Sequence, residues 1–247
     1  GLEDAFDKGK LMGVFAERTA KKYGFSREAQ DEFAIRSLTR AKKAIEDGSF
    51  DAEVTPVTYK NRQGEVTVEQ DEQPLTANLE KIPKLRPAFD KDGTVTAANS
   101  SSISDGAAAL VMMRESTAKK RGLKPIARFL GHSSFAQEPA WFTTAPVSAI
   151  RNLLETVGWN VDDVDLFEIN EAFAVVTMAA MKDLNLPADK VNVHGGACAL
   201  GHPVGASGTR ILVTLISALQ KYGKTRGVAS LCIGGGEATA MAVEVLS

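Results

Sequence analysis

The chain has 247 residues, 44% of them hydrophobic and 24% charged, enough apolar material to bury a substantial core in one large or two modest domains. Lys and Arg number 29 against 31 Asp and Glu, so the net charge of -2 carries no electrostatic footprint for nucleic acid or an anionic membrane surface, and neither is expected as a partner. No apolar run approaches the roughly 20 residues of a spanning helix. The first ten residues are too mixed and charged for a signal sequence, and a cytoplasmic location is the expectation.

Residues 14–43 place apolar side chains at three- and four-residue spacing, and Ser26 stands as a cap residue before Arg-Glu-Ala-Gln, so two helices are predicted there. Gly-Ser-Phe at 48–50 ends that block. Residues 53–58 and 64–68 alternate as short strands about the turn-like Asn-Arg-Gln-Gly at 61–64. The stretch 71–91, rich in Pro, Lys and Glu, reads as an irregular surface excursion of the kind that covers a substrate.

A small polar run at 96–105 marks a plausible domain boundary, followed by an apolar strand at 107–113 and a charged helix at 115–121. Beyond Lys124, strands at 126–135, 164–169, 191–193, 227–233 and 238–246 interleave with helices at 146–157, 171–184 and 207–221. That order predicts an α/β fold, with the last two strands closing as a hairpin across Gly-Gly-Gly-Glu at 234–237. No internal repeat is present.

Three junctions of this last region sit where a predicted strand ends, the place where open α/β sheets hold their ligands. At the first, Asn170 follows the apolar strand and is either an oxyanion donor or the cap of a helix beginning at Glu171. The second, at 195–208, is dense in glycine and carries Cys198 and His202. Its glycine spacing lacks the order of a dinucleotide fingerprint and the Lys-Ser or Lys-Thr of a phosphate loop. His202, pinned between Gly201 and Pro203, is a candidate for acid, base or hydrogen-bonding work, while Cys198, His132 and His194 read as packing residues. At the third, Cys232 precedes Ile-Gly-Gly-Gly-Glu, a thiol beside backbone N–H groups that few side chains obscure; the bland alternative is a buried cysteine next to a tight turn. Two cysteines in separate segments give neither a disulfide framework nor zinc ligands, and no metal is expected.

Asn-Glu-Ala-Phe at 170–173, Gly-His-Pro at 201–203 and Cys-Ile-Gly-Gly-Gly at 232–236 together resemble three signature blocks of the thiolase family. The resemblance runs through the whole chain, including Met-Gly at 12–13, Ser-Arg-Glu-Ala-Gln-Asp at 26–31, Leu-Arg-Pro-Ala-Phe-Asp at 85–90 and Thr-Val-Thr-Ala-Ala-Asn at 94–99. It implies acyl transfer by reversible Claisen chemistry between acetyl-CoA and an acyl-CoA, with coenzyme A thioesters as substrates and no cofactor. By the same resemblance Cys232 is the acid/base thiol, and His202 activates a nucleophilic cysteine and donates to the thioester oxygen. Asn170 holds a water beside it, and the Gly234 N–H belongs to a second oxyanion hole. Met12, Phe89, Ala97, Ser101 and Phe173 line the tunnel for the pantetheine arm. Leu11 stands where many biosynthetic members carry histidine, and the resemblance assigns no phosphate contact near Lys81.

The family's architecture implies a partial loop domain at 1–103, the last strand and helix of an amino-terminal domain at 104–124, and a carboxyl-terminal α/β domain at 125–247. It also implies a homo-oligomer, commonly a tetramer built from dimers. Neither Cys198 nor Cys232 matches the motif of the acylated cysteine, so the chain is expected to be an incomplete part of a longer enzyme and inactive alone. A noncatalytic module binding CoA or acyl-CoA is the alternative, distinguished by CoA affinity without exchange. A purely structural role would leave Cys232 indifferent to CoA. A ketoacyl-synthase type of condensing enzyme lacks the carboxyl-terminal thiol.

Overall fold

The computed structural model describes residues 2–246, and Gly1 and Ser247, the outer ends of the first and last expected domains, lie outside the described residues. Two helices open the chain, α1 (Met12–Tyr23) and α2 (Arg27–Glu46). Ser26 caps α2 as its position predicts, its side chain accepting from the Ala29 N–H at 3.1 Å. The apolar spacing of the two helices buries Phe15, Ala16 and Ala20 from the first and Phe33, Ala34, Leu38 and Ala41 from the second.

An exposed antiparallel ribbon follows, β1 (Val57–Asn61) against β2 (Gly64–Val68). Its first strand starts later than residue 53 because the N–H groups of Glu53 and Val54 both turn back to the Phe50 carbonyl. The stretch 71–91 is more regular than expected. It holds a short helix, α3 (Glu72–Thr76), and a 3-10 turn at Leu79–Lys84. The Arg27 guanidinium donates to the carbonyls of Ile82, Pro83 and Leu85, fastening that turn to α2.

No strand forms at 107–113, because no extended segment among the described residues runs beside it and a strand needs a ladder partner. Most of it is exposed, Val111 to 90%. The charged helix beyond it is present as α4 (Glu115–Lys120).

The carboxyl-terminal part is a four-stranded mixed sheet of β3 (Ala127–Ala136), β4 (Leu166–Ile169), β5 (Arg226–Ile233) and β6 (Glu237–Val245), in the order β3-β6-β5-β4. Only β4 and β5 run parallel; β5 and β6 form the predicted hairpin, and β6 pairs antiparallel with β3. On one face, α5 (Ala145–Val157) and the end of α6 (Ala174–Leu184) pack against Phe167, Ile169, Val228, Ala240 and Ala242. On the other, α8 (Ser207–Lys221) packs against Leu166, Ala229 and Val243. Val228 and Ala229 facing opposite layers is the two-residue period of a strand covered on both sides.

Two expected elements are shorter than the pattern suggested. Residues 191–193 make a single bridge, Val191 to Phe167, and not a strand. The helix drawn from Glu171 begins at Ala174 with Phe173 as its cap residue, so Asn170 is not a helix cap. Residues 170–173 are held out of the helix by neighbours instead: Ser101 N–H donates to the Ala172 carbonyl, and Ser100 bridges the extended Phe173.

Candidate active site

The parallel strands β4 and β5 end on the same edge of the sheet, and the three junctions meet there. The Asn170 N–H donates to the Ser230 carbonyl at 2.9 Å, which carries the ladder one residue past β4 and sets Asn170 beside the strand bearing Cys232. Asn170 is 1% exposed. Its Nδ2 lies 3.4 Å from His202 Nε2, and its Oδ1 is buried with no hydrogen-bond partner among the described residues.

His202 arrives on a loop of its own. The short helix α7 (Ala197–Leu200) ends at Gly201, whose φ of +90° and close approach to the Ser104 side chain leave no room for a Cβ. The His202 N–H then donates to the Ser102 carbonyl at 3.0 Å, and Nδ1 lies 2.6 Å from Ser207 Oγ at the start of α8. Burial, and secondarily the Arg210 guanidinium, push the imidazole below its ordinary range, which favours the neutral ring.

Cys232 sits on β5, 7% exposed, among Phe173, Phe15, Val176, Met12 and Phe89. Burial pushes its thiol up to about 12. The turn after it is fixed by Gly236, whose φ is +106° and whose missing side chain makes way for the Gln137 carbonyl. Its N–H donates to the Ile233 carbonyl, and its own carbonyl accepts from the Gln137 N–H. Gly234 faces Met12: a Cβ there would lie 3.0 Å from the methionine sulfur.

Four of the five tunnel candidates gather on this side. Phe89 and Phe173 meet edge to face at 6.0 Å, Met12 joins the same cluster, and Ser101 donates through both N–H and Oγ to the Ala172 carbonyl. Ala97 is outside that cluster. It lines a cavity of about 280 Å³ between α2 and the 71–91 segment, together with Gln73, Lys81, Leu85 and Cys198.

The sequence reading missed the residues that brace this arrangement. The buried Glu171 carboxylate accepts from Ser37 Oγ, Asn192 Nδ2 and the Cys198 N–H, and Ser37 Oγ in turn accepts the Gly196 N–H. Asn192, at a positive φ of 49°, pairs its side-chain amide with both the N–H and the carbonyl of Ile169. It does for β4 what a further strand would have done. The available signal was a carboxylate set directly after an apolar strand, where only a specific set of donors makes burial affordable. Cys198 is buried with its thiol against the Glu171 carbonyl, His194 meets Phe50 edge to face and Tyr222 at a tilt, and His132 lies exposed beside Phe129. Among the described residues, no group of three or more His, Cys, Asp or Glu is placed to hold a metal ion, and no helix is long and apolar enough to cross a membrane.

A mixed sheet between helical layers, with Asn170 and His202 in contact at the strand ends and Cys232 on the neighbouring strand within an apolar cluster, defines an α/β protein with polar side chains gathered at one end of its sheet. Residues 1–116 match the thiolase, N-terminal domain, and residues 123–245 the thiolase, C-terminal domain; the chain belongs to the thiolase family. It is 51% identical over 247 residues to the cytosolic acetyl-CoA acetyltransferase of Mus musculus, covering 99% of this chain and 62% of that protein. The crystal structure of the Bacillus anthracis acetyl-CoA acetyltransferase matches with a TM-score of 0.96 at 47% identity, covering 99% of this chain and 62% of the other. A thiolase from Ascaris suum in complex with coenzyme A matches with a TM-score of 0.90 at 42% identity, covering 100% and 63%. The chain thus spans about three fifths of the length of the curated relatives it matches.

Proposed function

We propose that this chain supplies the deprotonating and oxyanion-binding half of a thiolase site, working on acetyl-CoA and an acyl-CoA. The observation that carries the reading is the approach of Asn170 to His202 at 3.4 Å, on the strand edge next to the strand that bears Cys232. In the condensing direction the Cys232 thiolate takes a proton from the α-carbon of acetyl-CoA, forming an S–H bond and an enolate. The enolate carbon attacks the carbonyl of an acyl group held on a second cysteine. The carbon–sulfur bond to that cysteine then breaks with its electron pair on the sulfur, which takes up the proton held by Cys232, and a 3-ketoacyl-CoA leaves.

Two negative charges develop in turn, each needing donors already in place. His202 and a water held by Asn170 serve the enolate, and the orphaned Asn170 Oδ1 supplies an acceptor for that water. The Gly234 N–H serves the tetrahedral intermediate. A thiol pushed up to about 12 forms a strongly basic thiolate, suited to a carbon acid once substrate and donors stabilise the charge. Neither Cys198 nor Cys232 matches the family's acylated-cysteine motif, so the reading leaves the acyl-carrying role to a cysteine other than these two. Met12, Phe89, Ser101 and Phe173 are the proposed walls for the pantetheine arm, with Ala97 and its cavity farther along. A homo-oligomeric assembly belongs to the same reading, as does a cytoplasmic location, in keeping with the cytosolic mouse relative.

The test is thiolysis of acetoacetyl-CoA with free CoA by the protein at its native length. Activity that falls about 10²–10⁴-fold in Cys232→Ala supports the reading, the range of a positioned acid or base. Full activity in that variant overturns it. CoA binding without any thiolysis replaces it with a noncatalytic CoA-binding module.

A further inference from the structure

His202 offers its two ring nitrogens to different neighbours, and one of those contacts determines where the ring proton sits. Nδ1 lies 2.6 Å from Ser207 Oγ, and the same Oγ lies 3.1 Å from the Pro203 carbonyl oxygen. A carbonyl oxygen has lone pairs only, so the serine proton is needed to make the 3.1 Å contact a hydrogen bond. Ser207 Oγ then accepts, and the donor at 2.6 Å is Nδ1–H. The reverse assignment turns the serine proton toward Nδ1 and leaves two oxygens facing each other without a proton, at a residue that is 0% exposed. The Pro203 carbonyl also takes the N–H groups of Ala206 and Ser207, which pins the first turn of α8 and with it the serine hydroxyl.

We propose that Ser207 is a positioning residue that holds His202 as the Nδ1–H tautomer, leaving the Nε2 lone pair toward Asn170 and the reacting groups. The second contact agrees independently: the group facing Nε2 is the Asn170 amide nitrogen, a donor, which suits a lone pair and would oppose an N–H. The consequence for turnover rests on the thiolase reading. A neutral ring in this tautomer takes a thiol proton at Nε2 directly. The S–H bond breaks, an N–H bond forms, and the thiolate is left as nucleophile. The imidazolium so formed keeps Nδ1–H on Ser207 and presents Nε2–H to an oxyanion. In the other tautomer Nε2 already carries a proton, and the ring cannot act as base toward the cleft. The helix start thus selects which nitrogen does the chemistry.

The experiment is nitrogen-15 NMR of the full chain near pH 8, reading long-range couplings of the imidazole rings. Only three histidines need assignment, and His202→Asn removes one set of signals. Native His202 is expected to show a pyrrole-type Nδ1 and a pyridine-type Nε2. Ser207→Ala is expected to move the tautomer ratio about tenfold toward Nε2–H, the equivalent of one hydrogen bond of about 1.4 kcal/mol. A native His202 that is mainly Nε2–H overturns the proposal, as does a Ser207→Ala ring with unchanged tautomer. If Ser207→Ala does not fold, the native spectrum decides alone. None of these readouts needs turnover: native Nδ1–H with no thiolysis by the native-length protein sinks the thiolase reading and leaves Ser207 in its role, whereas thiolysis by that protein with native Nε2–H does the opposite.

Discussion

Glu171, just past the exit of β4, accepts a hydrogen bond at 2.7 Å from Ser37 in α2, a residue 134 positions earlier in the chain. Two further donors, Asn192 Nδ2 and the Cys198 N–H, complete its shell. Through this one carboxylate the helical amino-terminal segment, the end of β4 and the glycine-rich loop that leads to His202 hold one another.

Glu171→Ala strands three buried donors at once, and a loss of about 3 kcal/mol or more is expected in urea unfolding. Glu171→Gln keeps one acceptor and turns an amide donor toward another donor, so an intermediate loss is expected. A midpoint unchanged in both variants would show that the bracket contributes nothing to stability.

Asn170→Ala removes the group facing His202 Nε2 while leaving the backbone bond from Asn170 to Ser230 in place. For the native-length enzyme, kcat for acetoacetyl-CoA thiolysis is expected to fall about 10²–10³-fold, the cost of one lost oxyanion-hole donor, with a smaller change in KM. Equal loss in Ser101→Ala, a wall residue bonded to the Ala172 carbonyl, would argue for displaced loops and not for a lost charge partner.

Stability is expected to fall between pH 6.5 and 8. Burial pushes Glu168 up to about 8, against the opposing Arg210 guanidinium 3.7 Å away, and pushes Glu53 up to about 7. Both hold their protons more tightly folded than unfolded. The stability they contribute is therefore complete below their ordinary value of 4.5 and is lost as pH rises through 7 and 8. His194 acts in the opposite sense: burial pushes it down to about 4, so it costs stability as pH falls from 6.5 toward 4. The window above 6.5 belongs to the glutamates, with a change on the order of 1–2 kcal/mol. Thermal unfolding across that window checks it, and Glu168→Gln should flatten the slope.

Gly236→Ala forces a side chain onto a residue at φ +106° and against the Gln137 carbonyl. About 2 kcal/mol or more of destabilisation is expected, together with a disturbed β5–β6 turn beside Cys232. Gly205→Ala, where a Cβ meets open space, is the control and is expected to be close to neutral.

Much of the fold was legible because its signals are local. The cap at Ser26, the apolar spacing of α1 and α2, and the hairpin across residues 234–237 each depend on residues within one or two turns of chain, and each stands where the pattern placed it. The helix drawn from Glu171 started three residues late for the same reason inverted. Its first residues carry helical character, but contacts with Ser100 and Ser101 keep them out of the helix.

The residue types of the site were equally plain: an asparagine after an apolar strand, a histidine between glycine and proline, and a thiol before three glycines are all visible in the sequence by itself. What only the tertiary structure decided is which atoms face which. Asn170 and His202 are 32 positions apart and meet because β4 delivers one at its end while the loop between α7 and α8, tied to the Ser102 carbonyl and to Ser207, delivers the other. Glu171 became a bracket and not a surface acid because α2 delivers Ser37 to it, and residues 107–113 remained unpaired because a strand exists only beside another. Hydrogen bonds act over about 3 Å in space whatever the separation along the chain, so local periodicity places the elements, while the packing of those elements places the chemistry.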